Sequence, residues 1–168
     1  MRRFGLLLAI CFGFIALIAP TRPALAATAA SRDAAANAQI QQIIALVNQR
    51  RAEAGLAPVK VNATLTSCAQ SYSEVQASQG AINHTGPDGS NPGQRLKRCG
   101  YAWKHSGENL AAGYVDANEV MTAWMNSPGH RKNIMNGKLK EIGIGFAHRD
   151  NDPGQYYDYY VMELGTRK

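Results

Sequence analysis

Apolar residues recur at helical spacing through most of the chain. Residues 36–54 place theirs on one face of a helix that ends at Gly55. Side chains able to cap a helix precede two further periodic stretches. The pattern predicts four helices: residues 36–54, Asn62 to Gly80, residues 94–99, and Asp116 to Pro128.

The C-terminal part changes to a period of two, which is typical of strands. Residues 141–147 alternate large apolar residues with glycine or alanine, and residues 156–164 are rich in Tyr and Val. A turn sequence at residues 151–154 separates the two stretches, so they are predicted to form an antiparallel hairpin. The glycine face of the first strand would let a helix approach closely. Helices on both sides of a small antiparallel sheet are the simplest packing of this order.

The N-terminus has the pattern of a secretory signal peptide. A charged start is followed by an apolar run to Ala19 and by Ala24-Leu25-Ala26, which has small residues at both outer positions. The alternative is an uncleaved membrane anchor, for which the run is short. We predict a signal peptide at 1–26, a flexible Ala/Ser/Thr-rich leader at 27–35 and one domain at 36–168. The mature protein is then secreted or periplasmic, without a stable membrane span.

Cleavage would also remove much of the positive charge. Loss of Arg2, Arg3 and Arg22 lowers the formal net charge from +6 to +3. The remaining cations are spread along the chain, which favours a solvated surface; they include Arg50, Arg51, Lys60, Arg95, Lys97, Arg98, Lys104, Arg131, Lys132, Lys138 and Lys140. No zinc-finger, RNP or phosphate-loop motif is present, so nucleic acid is not an expected partner.

Two cysteines, Cys68 and Cys99, would survive cleavage. An exported protein meets an oxidising compartment, so an even pair predicts one disulfide. It would contribute roughly 3–4 kcal/mol by closing a loop of about 30 residues. The alternative is two separate buried thiols, because the spacing alone does not determine the distance between them.

Three side chains suited to chemistry lie in or beside turn-forming sequence. His84 precedes Thr85-Gly86-Pro87, Glu108 stands in Gly107-Glu108-Asn109, and His130 follows Pro128-Gly129. Imidazoles and a carboxylate can bind a metal or transfer protons if the fold brings them together. No serine-hydrolase elbow, His-Glu-x-x-His or Ser-x-x-Lys motif occurs, and neither cysteine has a catalytic signature.

Taken in order, the motifs resemble the CAP superfamily of cysteine-rich secretory proteins, antigen 5 and plant pathogenesis-related class 1 proteins. The resemblance is to its bacterial, single-domain branch and covers about residues 43–165. It is carried by Leu46–Arg51, His84-Thr85, Gly107-Glu108-Asn109-Leu110-Ala111, Trp124–Arg131, Asn133-Ile134-Met135 and Glu141–Gly145. It implies an α+β fold, a three-layer α-β-α sandwich with a small antiparallel sheet and a surface cleft.

The resemblance also implies a binding cleft. In the family this cleft collects two histidines and acidic residues and is often able to hold zinc or another divalent cation. His84 and Glu108 match the first histidine and the acidic residue, and His130 is the candidate for the second histidine. Ser127 stands where another glutamate is expected, so the family's four-residue site is incomplete. The expected metal ligands are therefore His84 and His130, with Glu108 as the candidate catalytic group or as a residue that only supports its loop.

We therefore predict a secreted, non-enzymatic module of the cell envelope or extracellular space that binds a ligand in this cleft. Lipids, sterols and cell-wall polysaccharides are the ligand classes that the resemblance implies. The alternatives are a metal-dependent hydrolase of protein or peptidoglycan and a purely interacting envelope protein. Asn109 and Asn133 are predicted to bridge backbone groups, and Trp124 is predicted to lie in the core.

Overall fold

The computed structural model describes residues 22–168, with side chains from residue 30 onward. Residues 1–21, most of the predicted signal peptide, lie outside the described part. The helices are α1 (Arg22–Glu53), α2 (Ala63–Gln79), α3 (Pro92–Arg98), α4 (Ala117–Asn126) and α5 (Pro128–Ile134). The strands are β1 (Lys60–Val61), β2 (Trp103–Ala112), β3 (Glu141–His148) and β4 (Asp158–Arg167). None of the described helices is long and apolar enough to cross a membrane.

Helix α1 begins earlier than the sequence pattern predicts. Residues 27–35, expected to be a flexible leader, belong to the helix, and their described side chains are exposed. Alanine is the strongest helix former, so an alanine-rich segment continues a helix that packing stabilises further along. Ile43 is the first fully buried residue of α1 among those described.

The predicted caps of α2 and α4 are confirmed, whereas α5 was not among the four predicted helices. The Asn62 side chain caps α2 by accepting hydrogen bonds from the backbone N–H groups of Thr64 and Leu65, and Gly80 ends the helix in a left-handed conformation. The Asp116 side chain caps α4 in the same way. Pro128 ends α4 as expected but also begins α5, because proline is favoured in the first turn of a helix.

The sheet has the order β1-β3-β4-β2. The predicted hairpin is confirmed, since β3 and β4 pair antiparallel from Glu141–Gly165 to His148–Asp158. Strand β1 pairs parallel with β3, so the sheet is mixed rather than wholly antiparallel. Strand β2 was not predicted; it pairs antiparallel with β4 and carries Glu108.

The predicted three-layer arrangement is confirmed. One face of the sheet, with Ile142 and Ile144, packs against α1, α4 and α5 in a core that includes Trp124. The other face lies against α2 and α3. There the predicted glycine face meets α2 directly: a Cβ at Gly143 or Gly145 would lie 2.2–2.3 Å from backbone atoms of that helix.

The predicted disulfide joins α2 to the end of α3. Cys68 and Cys99 are bonded, with their Cα atoms 5.8 Å apart. Because both helices lie on the same side of the sheet, the bond holds the segment between them, residues 80–91, close to that face. His84 lies in this segment, so the disulfide helps to position one of the candidate site residues.

Two of the basic residues expected at the surface are buried. Arg51 is 0% exposed and donates hydrogen bonds to four backbone carbonyls. Arg95 is 7% exposed and lies beneath His84. Each guanidinium group joins separate segments of the chain, because its planar arrangement of five N–H donors can bind several acceptors at once.

Candidate functional site

The loop that carries His84 is held against α2 by hydrogen bonds to its backbone. The carbonyl oxygen of Asn83 accepts hydrogen bonds from the Tyr72 hydroxyl and the Gln76 amide. The Asn83 N–H donates back to the Gln76 side chain at 2.7 Å. His84 therefore stands on a fixed backbone even though its own side chain is 55% exposed.

Glu108 lies directly behind His84. The His84 Nδ1 atom is 2.6 Å from Glu108 Oε1, and the Glu108 side chain is 1% exposed. A carboxylate can only accept hydrogen bonds, so Nδ1 of His84 carries the proton. The Nε2 atom is the ring nitrogen that this contact leaves for another ligand.

Arg95 binds both members of the His84–Glu108 pair. Its Nη2 atom donates to the second carboxylate oxygen of Glu108, and Nη1 donates to the carbonyl oxygens of His84 and Ser90, both at 2.9 Å. The guanidinium also stacks on the Tyr72 ring, 3.5 Å from its centroid. Both oxygens of Glu108 are thus engaged, and one buried cation faces one buried carboxylate.

His130 reaches the same place from α5. Its ring centroid is 6.4 Å from that of His84, and its side chain is half-buried. Burial and the neighbouring His84 lower the pKa of His130, so its ring is neutral at neutral pH. The structure therefore brings together the three side chains that the sequence singled out.

Two asparagines connect α5 to β2. Asn109 donates to the His130 carbonyl oxygen at 3.1 Å, and Asn133 donates to the Glu108 carbonyl and to the Asn109 side chain. The prediction that these amides bridge backbone groups is confirmed. Gly107 leaves room for them, since a Cβ there would lie 2.9 Å from the Asn133 side chain.

Comparison with known proteins identifies the family of this fold. The CAP profile, described as the cysteine-rich secretory protein family, matches residues 44–164, most of the chain. The chain belongs to the CAP family. The resemblance noted from the motifs is therefore confirmed, together with the fold that it implies.

Bacterial CAP proteins are among its similar structures. An outer surface protein of Borrelia burgdorferi is 25% identical with a TM-score of 0.70, over 77% of this chain and 93% of that one. An extracellular SCP-domain protein of Bacillus anthracis is 28% identical with a TM-score of 0.68, over 79% of this chain and 41% of that one.

A relative of Bacillus subtilis, the uncharacterized protein YkwD, is 34% identical over 120 residues, or 71% of this chain. The chain spans 47% of the length of YkwD and 30% of the length of a second relative, the membrane protein YlbC.

The side chains of this CAP domain that could hold a metal ion in the cleft are the two imidazoles of His84 and His130. A histidine backed by a carboxylate is the usual arrangement of a metal ligand with its supporting residue. Glu108 does not fit as a third ligand, because His84 and Arg95 engage both of its oxygens. Within residues 22–168, no group of three or more His, Cys, Asp and Glu side chains is placed to hold a metal ion.

Ser127, where the resemblance leads us to expect another glutamate, contributes no carboxylate to the cleft. Ser127 joins α4 to α5, and its side chain makes no capping hydrogen bond. Glu141, the other acidic residue considered, instead accepts hydrogen bonds from Tyr101 and Asn62. The acidic part of the cleft in this CAP domain is therefore Glu108, with a second carboxyl group, that of Glu163, buried behind it.

Two residues of the site escaped sequence analysis. Arg95 was grouped with the surface cations, and Glu163 was not singled out within the strand predicted at residues 156–164. One feature of the sequence could have identified Glu163: it is an acidic residue between the apolar residues Met162 and Leu164. An acid is almost never fully buried without a partner, so an acid in an apolar strand suggests a special role. Nothing in its local sequence distinguishes Arg95 from the exposed Lys97 and Arg98.

Proposed function

We propose that this CAP domain is a secreted, non-enzymatic binding module that takes its ligand at the His84/Glu108/His130 cleft, with a divalent cation held by the two histidines. The observation that carries the proposal is the pairing of an exposed, carboxylate-backed imidazole with a second, neutral imidazole 6.4 Å away. Lone pairs on two such rings suit zinc or a similar ion. Secretion is supported by the N-terminal pattern and by the extracellular SCP-domain relative.

The geometry favours binding over hydrolysis. A zinc hydrolase commonly uses three protein ligands and a base that can reach the metal-bound water. Glu108 is 1% exposed and its oxygens are committed to His84 and Arg95, so it is poorly placed as either the third ligand or the base. With two protein ligands, the other coordination positions remain for water and for the ligand.

The expected ligands offer oxygen atoms at a surface. Wall polysaccharides and lipid head groups, including the hydroxyl of a sterol, have such oxygens and could complete the coordination of an ion on His84 and His130. The exposed position of His84 suits a ligand that approaches from solvent and is not enclosed. The cleft would then recognise a head group or a sugar, with the rest of the ligand lying on the surrounding surface.

We expect calorimetric titration with zinc to give one-to-one binding to the protein. His84→Ala and His130→Ala should each weaken binding by at least about tenfold, because each removes one of two protein ligands. His148→Ala is the matched control, since His148 lies outside the cleft, at the far end of the β3–β4 pair, where its ring contacts Asp150 and Asp158. It should leave the affinity within about twofold.

Zinc affinity unchanged in His84→Ala and His130→Ala, or lost in His148→Ala, would contradict a metal in this cleft.

The hydrolase alternative makes a different prediction. Casein or peptidoglycan should then be turned over, and turnover should stop on chelation and in His84→Ala. Turnover with that dependence would replace the binding proposal.

We expect export of the full chain to yield a mature protein that begins at residue 27 or 28. Such cleavage would shorten the start of α1 and would leave its buried positions from Ile43 onward unchanged. Mass spectrometry of the exported protein checks this. Ala26→Leu is a useful variant, because a bulky residue at the small outer position of the motif should slow cleavage. An exported protein that retains residues 1–26 would contradict the prediction.

A further inference from the structure

Glu163 is a buried acid for which the cleft described so far has no role. It lies on β4 directly opposite Glu108 on β2 and opposite Gly143 on β3, so its side chain points to the same face of the sheet, beneath α2. Directly opposed residues have Cβ atoms about 4.5–5.5 Å apart, which brings two glutamate carboxyl groups within reach of each other.

Within the described part of the chain, no N–H or O–H group donates a hydrogen bond to the Glu163 carboxyl. Its residue is 0% exposed, and within the described part of the chain neither carboxyl oxygen has a hydrogen-bond partner. Buried carboxylates are normally paired with a cation or with several N–H donors. An unpaired one changes its protonation state instead of remaining charged.

The charges around Glu163 also favour its protonated form. The titratable groups that influence it are Glu108 on β2, Arg95 on α3 and Tyr72 on α2, while β3 contributes only Gly143. Arg95 is the one cation among them, and Glu108 already binds it. Burial, and after it the negative charge of Glu108, raises the pKa of Glu163 well above its ordinary value.

We propose that Glu163 is a neutral carboxylic acid at neutral pH that donates its O–H to Glu108, and that it acts as a positioning residue for His84. A carboxylate has about four acceptor sites, of which His84 and Arg95 use two, so Glu108 can accept a third hydrogen bond. Glu108 would then be held from three sides. The role in positioning rests on the proposed function, whereas the protonation state does not.

Carbon NMR of the glutamate side chains tests the protonation state directly. At pH 7 we expect one Glu carboxyl carbon to keep the chemical shift of the protonated form, and we expect that resonance to disappear in Glu163→Gln. If every Glu carboxyl carbon has the ionised shift at pH 7, or if the protonated signal persists in the variant, the proposal is wrong. This readout does not require that the protein bind any metal.

Two variants test positioning. Glu163→Gln keeps a neutral donor of similar shape, so zinc affinity should stay within about twofold of that of the unchanged protein. Glu163→Leu removes the donor, so affinity should fall by about tenfold or more, as for other residues that support a metal ligand. Equal affinities for both would contradict positioning. If the unchanged protein binds no zinc, the proposed function fails while the NMR result still decides the state of Glu163.

The pH dependence of stability gives a further check that requires only Glu163→Gln. The unfolded chain loses this proton near the ordinary glutamate pKa of 4.5, whereas the folded protein keeps it to higher pH. Between the pKa of Glu163 in the unfolded chain and its higher pKa in the folded protein, the folded state binds more protons. The free energy of unfolding therefore falls as pH rises between these two values. The advantage in melting temperature of Glu163→Gln should therefore grow from about pH 5 to about pH 7.5. A difference independent of pH would contradict a neutral Glu163.

Discussion

Gly145→Ala is expected to destabilise the protein by about 4 kcal/mol or more, measured as the free energy of unfolding in denaturant. A Cβ at position 145 would lie 2.3 Å from the carbonyl carbon and oxygen of Ala69 and from the amide nitrogen of Gln70. These are backbone atoms in the middle of α2, so no side-chain rotation can relieve the clash. The whole helix would have to move away from β3.

The consequences of that movement should extend to the cleft. Helix α2 carries Tyr72 and Gln76, which hold the backbone beside His84, and Cys68, which forms the disulfide. We therefore expect the near-ultraviolet dichroism of Gly145→Ala to change together with its stability.

Gly129→Ala is the matched control for this prediction. Gly129 lies in α5, and apart from its chain neighbours and the backbone of its own helix, no described atom lies within 4 Å of the position that its Cβ would occupy. Alanine is favoured over glycine in helices, so this variant should be neutral or more stable by up to about 1 kcal/mol. Similar losses in the two variants would show that the close approach of α2 to β3 is not what excludes a side chain at position 145.

Arg51→Met should also cost about 4 kcal/mol of unfolding free energy. Methionine keeps much of the apolar volume but removes every donor of a fully buried guanidinium. Four carbonyl oxygens would lose their partner, each at a cost of about 1 kcal/mol or more. They belong to Ala57, Ile134, Asn136 and Leu139.

These contacts explain where Arg51→Met should act. Arg51 joins the end of α1 to the segment that leads from α5 into β3, and His130 lies at the start of that same α5. We expect amide hydrogen exchange at residues 134–139 to become faster in the variant. The segment would lose the hydrogen bonds that hold its carbonyl groups to α1, so it would open more often.

Arg50→Met provides the comparison. Arg50 is adjacent in sequence, but its side chain is 46% exposed and forms an ion pair with Glu53 at 3.0 Å. Exposed pairs of this kind contribute little, so the variant should change stability by no more than about 0.5 kcal/mol. Equal effects at positions 50 and 51 would mean that the buried hydrogen bonds of Arg51 do not contribute as proposed.

The difference between Arg50 and Arg51 shows a limit of sequence analysis. Both arginines stand near the end of a correctly predicted helix, and both were expected at the surface. Which of them is buried depends on what covers that face of α1, and the covering residues are more than eighty positions away in the chain. Periodicity within the helix carries no information about the carbonyl groups that approach it.

Strand β2 shows the same limit in another form. Its central residues, Gly107-Glu108-Asn109, include types that are common in turns, so they were expected to form a loop. In the structure they pair with β4, where Glu108 lies opposite Glu163. A partner strand more than fifty residues away determined their conformation, because β propensity depends strongly on context.

By itself the sequence determined the caps and ends of α2 and α4, the β3–β4 hairpin, the glycine face toward α2 and the family of the domain. These features depend on neighbouring residues and on periodicity, which the chain carries locally. Only the tertiary structure decided that Glu108 lies on a strand behind His84, that Arg95 is buried beneath both, and that Glu163 lies opposite Glu108 with no hydrogen-bond donor among the described residues. Burial and pairing arise from contacts between residues far apart in sequence, and those contacts determine which charges the cleft retains.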